Sequence, residues 1–85
     1  MTPIVFENID SSAVFRIKCE ENRVFVTFNG NIDKEYEYNC KNIEEFAKTV
    51  QKVLIDTNKS IGRYINTSIR DNTLELIKGD QYILV

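Results

Sequence analysis

Apolar and polar residues alternate along the first half of the chain and recur every three or four residues in the middle, so the period changes from that of a strand to that of a helix. Residues 1–11 read as a lead-in strand or extended arm, bounded by Pro3 and the Asp10-Ser11-Ser12 cluster. From Ala13 the pattern is β: Phe15, Ile17 and Cys19 are expected on one face, with Val14, Arg16 and Lys18 on the other. Glu20-Glu21-Asn22 forms a short turn. Arg23 to Phe28 sets Val24, Val26 and Phe28 opposite Phe25 and Thr27, and such side chains suit a pleated, half-buried surface. Asn29-Gly30 is a turn signal because both residues tolerate positive φ, and the loop continues through Asn31-Ile32-Asp33. Lys34 to Asn39 is a third strand, with Tyr36 and Tyr38 on one face and Glu35 and Glu37 on the other.

Asn42 is a good N-cap, and Glu45 three residues on completes a capping-box-like pattern. Ile43, Phe46, Ala47, Val50, Val53 and Leu54 then form one apolar stripe, which predicts an amphipathic helix of about 13–14 residues. Lys41, Lys48 and Lys52 fall off the stripe, and Asp56-Thr57-Asn58 ends it. Ser60 can cap a second, shorter helix in which Ile61, Tyr64 or Ile65, Ser68 and Ile69 share a face. Gly62 lies in its first turn, where glycine costs roughly 1 kcal/mol against alanine. A kink would explain it, and so would the close approach of a backbone or a ligand. After Arg70-Asp71-Asn72 two further strands, Thr73–Ile77 and Gln81–Val85, flank a Gly79-Asp80 hairpin turn.

The element order predicts a single α+β domain over residues 1–85. Its antiparallel sheet is a three-stranded meander plus a C-terminal hairpin, with one long and one short helix packed on one face. No internal repeat, linker or low-complexity tract interrupts it. Hydrophobic residues make up 42% of the 85, enough for one compact core. No apolar run approaches the roughly 20 residues that span a bilayer. The start lacks a basic region and meets Glu7 early, which argues against a signal peptide and for a cytoplasmic protein, bacterial or in a phage-infected host. The abundance of Asn, Ile and Lys is the compositional hint of an AT-rich bacterial or phage genome.

Two cysteines and no histidine leave no metal-ligand set, and no cofactor motif is present. Cys19 and Cys40 fall at one end of the meander with a strand between them, roughly 9–10 Å apart at about 4.8 Å per strand. A disulfide needs Cα atoms within about 7 Å, so free thiols and a reducing compartment are expected.

The net charge of −2 hides a segregation. Residues 1–40 carry four cations against seven acids, residues 41–70 six against three, and residues 71–85 one against three. The helical middle is therefore the basic part of an acidic chain, although a solvated helix face has the same pattern.

Several of these segments together resemble a known family. Ala13-Val14-Phe15-Arg16-Ile17 after a Ser pair, the Val-Phe-Val-Thr-Phe strand, Tyr36-Glu37-Tyr38, a helix, and Ser60-Ile61-Gly62-Arg63-Tyr64-Ile65-Asn66 closing on Ile69-Arg70 look like the KTSC domain. That family is named for an appendage of some lysyl-tRNA synthetases and also occurs as a free-standing small protein. The resemblance covers roughly residues 11–70. It implies a small binding domain, suspected of contacting RNA, with no established chemistry. The segment Leu54–Lys59 is longer than in the family pattern, and the closing hairpin lies outside it.

The site residues expected from the chain are Lys59, Ser60, Gly62, Arg63, Asn66 and Arg70. Ser60 and the first amides of the second helix can form an anion site, Gly62 admits close approach, and Arg63 offers a bidentate fork. Asn66 can present its amide to a base edge or bond the backbone. Tyr36, Tyr38 and Tyr64 are read as aromatic supports beneath that face: tyrosines on a sheet can stack bases, but alternate tyrosines between glutamates more often bury their rings and keep their hydroxyls wet. The glycines match neither GxGxxG nor the P-loop.

No histidine or paired carboxylates stand ready for acid–base work, so no enzyme is expected. Two functions remain. One is an RNA-binding module, whose three or four phosphate contacts would give a salt slope of only about −2 to −4. The other is a protein-interaction module docking through a sheet edge or the acidic face of the meander. Edge strands also leave room for a homodimer.

Overall fold

The computed structural model describes residues 2–7, 9, 11–56 and 58–78. Five strands and two helices form an α+β fold: β1 (Ile4–Phe6), β2 (Val14–Glu20), β3 (Arg23–Phe28), β4 (Glu35–Asn39), α1 (Ile43–Ile55), α2 (Ile61–Arg70) and β5 (Glu75–Lys78). The sheet is antiparallel throughout, with strand order β1-β2-β3-β4-β5. The lead-in arm is thus a strand of the sheet, paired Ile4 to Cys19 and Phe6 to Ile17. The expected turn at Gly79-Asp80 and strand Gln81–Val85 lie outside the described residues.

The pleat of β2 departs from simple alternation. Val14 pairs with Phe28 and Arg16 with Thr27, so Phe15 is the extra residue of a β-bulge. One extra residue reverses which side chains face the core. Val14 therefore joins Ile17 and Cys19 inside, while Phe15, expected with them, is 47% exposed. Ser11 fixes this entry: its Oγ accepts from the Ala13 and Val14 amides, both at 3.1 Å. Asn29 ties the loop down further, its amide donating to the Ala13 carbonyl at 2.9 Å and its Nδ2 to that of Ser11 at 2.7 Å. Asn29–Asn31 is a short 3₁₀ helix, and Asn29 does not take the positive φ expected of an Asn-Gly turn. The left-handed residue in this meander is instead Glu21, with φ 54°, in the two-residue turn closed by the Glu20–Arg23 pair.

The core lies between one sheet face and the helices. Val14, Ile17, Val24, Val26, Phe28, Tyr36 and Tyr38 meet Ile43, Phe46, Ala47, Val50 and Val53 of α1 and Ile61 and Ile65 of α2. Burial of each large apolar side chain contributes about 1.5–3 kcal/mol. The α1 stripe is the one its periodicity predicts, and Asn42 caps it as expected, accepting from the Glu45 amide while donating to the Glu45 carboxylate at 2.9 Å.

Cys19 and Cys40 are free and buried, with the end of β3 between them as the meander requires. Burial, reinforced by the neighbouring Cys40, pushes the Cys19 thiol from an ordinary 9.0 up to about 12. The Tyr38 ring is fully buried, and its hydroxyl is buried without a hydrogen-bond partner. The expected wet hydroxyl is therefore absent at Tyr38, because the register sets it opposite Val24 and Leu76, inside the sheet.

α2 stops at Asn72, whose φ of 67° lies in the left-handed region that asparagine tolerates. The Asp71, Asn72 and Leu74 amides satisfy the last carbonyls of the helix, those of Thr67, Ile69 and Ser68. Asp71 also accepts from the Thr73 amide at 3.0 Å and from its hydroxyl at 2.6 Å. Residues 73 and 74 are used in this stop, so β5 begins two residues later than its sequence suggests.

Candidate functional site

Ser60 ends the linker in an extended conformation and caps α2, its Oγ accepting from the Arg63 amide at 3.3 Å. A hydroxyl that accepts in this way keeps its own proton for an outward acceptor. Ile61 and Ile65 anchor the inner side of the helix. The residues left on the other side include Arg63, Asn66, Thr67 and Arg70, which recur at i, i+3, i+4 and i+7 and so form one outer stripe.

That stripe lines a groove of about 520 Å³ with Ser60, Gly62 and Ala13. Five of the six expected site residues therefore come together: Ser60, Gly62, Arg63, Asn66 and Arg70. The sixth, Lys59, lines a separate groove of about 300 Å³ with Asn58, Thr49, Val53 and Tyr64, and Ser60 and Arg63 line both. Arg63 thus stands between the two.

Two contributors, Thr67 and Ala13, are not among the expected site residues. Thr67 was legible as the i+4 partner of Arg63. Ala13 was not, because only the packing of α2 against the entry to β2 brings residues 13 and 62 to one groove. Gly62 is buried there, so its missing side chain corresponds to close packing within an unbroken helix rather than to a kink.

The tyrosines are placed away from this groove. Tyr36 and Tyr38 belong to the core, Tyr36 edge-on to Phe28 with centroids 5.5 Å apart, so neither ring is presented for stacking. Tyr64 is half-buried at the rim of the second groove and stacks on Phe46 at 5.7 Å. Burial raises the pKa of its hydroxyl, partly offset by hydrogen bonds with Ser68 and Thr49.

The electrostatics separate the two halves of the fold. On the sheet, Arg16 meets Glu35 at 3.3 Å and Glu7 at 3.9 Å, Lys18 meets Glu20 at 3.5 Å, and Arg23 meets Glu37 at 3.2 Å. Lys18 also lies 5.1 Å from the centroid of the Phe25 ring. These cations are neutralised within their own face. Among the described residues, Arg63 and Arg70 have no ion-pair partner and no carboxylate lines their groove. The lining offers two guanidinium forks, an amide and two hydroxyls, a donor set suited to an oxyanion.

No family model, curated protein or solved structure significantly matches the chain.

Proposed function

We propose that this protein is a small, non-enzymatic binding module that contacts RNA or another polyanion through the basic outer face of α2. One observation carries the reading: Arg63 and Arg70 share a groove that, among the described residues, no carboxylate lines, while Arg16, Lys18 and Arg23 of the sheet are paired. The resemblance of residues 11–70 to the KTSC domain supports the same reading. Among the described residues the lining holds no carboxylate, histidine or thiol to act as a general base toward Ser60, which favours binding over catalysis. Fluorescence anisotropy of a labelled RNA at low salt tests it. Retention by the unmutated protein and loss in Arg63→Glu, with an unchanged melting curve, is the expected result; no retention at low salt overturns the reading.

A second reading has an observation of its own. Among the described residues β1 is an edge of the sheet, only three residues long, with Ile4 and Val5 exposed. Ile4 and Phe6 line a groove of about 290 Å³ with Ala47, Lys48, Gln51 and Glu44 of α1. An edge of this kind suits a protein partner that adds a strand. A pull-down with and without nuclease separates the readings, since a stoichiometric protein that survives nuclease supports this one and purely nucleic-acid-dependent recovery removes it.

A further inference from the structure

The geometry points to a ligand that is a phosphodiester chain gripped at two separated phosphates, read through its backbone, rather than a mononucleotide or a lone phosphate. The inference rests on the polyanion reading and specifies the ligand. Arg63 and Arg70 both line the 520 Å³ groove, seven residues apart on one face of an unbroken helix. At 1.5 Å per residue their Cα atoms stand about 10.5 Å apart along the axis.

Asn66 and Thr67 line the groove between them. For both guanidinia to converge on one anion, each would have to lean over these uncharged side chains toward the other. Extended side chains instead each meet a phosphate of their own. Phosphates recur about every 3.4 Å of rise along one strand, so the separation spans about three steps, that is about four successive phosphates, as in a 5′-phosphorylated tetranucleotide.

Among the described residues the groove has no aromatic lining, and Tyr36 and Tyr38 are buried, so they offer the bases no stacking platform in it. Contacts to phosphates alone carry no base sequence. The ligand's sugar and base identities are therefore secondary to its length.

The test is a competition series on the full chain, with inorganic phosphate, UMP, and 5′-phosphorylated oligo-U and oligo-dT of two, four and eight nucleotides. Affinity should rise at least tenfold between UMP and the tetramer. Oligo-U and oligo-dT tetramers should bind within about threefold of each other, as expected for contacts to the shared phosphate backbone. Arg63→Gln and Arg70→Gln should each reduce the salt slope by about 0.7, the single-strand value for one phosphate contact, with melting curves unchanged. UMP or phosphate competing as well as the tetramer overturns the two-phosphate grip while leaving the polyanion reading in place. So does an Arg70→Gln protein that keeps the full slope, or a tenfold preference for one sugar. Failure of every oligomer to bind at low salt removes both.

Discussion

Arg16 on β2 reaches across β3 to Glu35 on β4, Nη2 to Oε2 at 3.3 Å. This contact and the Arg23–Glu37 pair show what the sheet does with its cations, and it is not what α2 does with Arg63 and Arg70. Exposed pairs of this kind contribute about 0–1 kcal/mol. Arg16→Ala should therefore lower stability by less than about 1 kcal/mol in urea unfolding and leave polyanion retention unchanged. Arg63→Glu should do the reverse, removing retention with stability held within about 0.5 kcal/mol.

Gly62 separates helix propensity from packing. At an exposed helical position, alanine in place of glycine stabilises by about 1 kcal/mol. Gly62 is buried, so a Cβ has to be accommodated at a packed contact. Gly62→Ala is expected to be neutral or destabilising, and a gain near 1 kcal/mol in urea unfolding would show that the site has room.

The bulge in β2 makes neighbouring apolar residues unequal. Phe15→Ser should cost less than about 1 kcal/mol, as for other surface changes, while Ile17→Ala should cost about 2–5 kcal/mol. Equal costs in chemical denaturation would place Phe15 in the core and contradict the register.

Alternation put Val24, Val26 and Phe28 on one face, which is the core face, and the 3.6-residue period identified the stripes of α1 and α2, because those signals are local. The phase of β2 was not legible: a bulge is set by which residues face each other across strands, and Phe15 is as apolar as its neighbours. The same limit hid the 3₁₀ turn at Asn29, fixed by bonds to Ser11 and Ala13 some sixteen to eighteen residues earlier. At the groove, the residues of α2 could be read from their spacing, whereas Ala13 depended on tertiary packing.

Tyr38 and Cys19 make stability fall in alkali. An ordinary thiol ionises near 9.0 and an ordinary phenol near 10.0, while burial pushes both groups up to about 12 in the folded protein. The unfolded chain therefore loses these protons first, and stability present below pH 9 declines between about pH 9 and 12. Each group contributes a slope of up to about 1.4 kcal/mol per pH unit. Tyr38→Phe should remove the phenol's share of this slope. It should also be neutral or stabilising at pH 7, by up to about 1–3 kcal/mol, because the lost hydroxyl has no partner to leave behind. A destabilised Tyr38→Phe protein would reveal a partner for that hydroxyl.

Among the described residues, the separation of the paired Arg16, Lys18 and Arg23 on the sheet from Arg63 and Arg70 on α2 gives the molecule a direction as well as a charge. A polyanion far away meets a particle of net charge −2 and is weakly repelled. Within a Debye length, about 8 Å at physiological salt, it meets only the local field of whichever side it approaches. Under the proposed polyanion reading, most collisions would therefore arrive on an unproductive side, and those reaching α2 would be held in one orientation. On that reading the arrangement would sacrifice encounter rate for a defined pose, with the opposite face of the sheet turned outward while the groove is occupied.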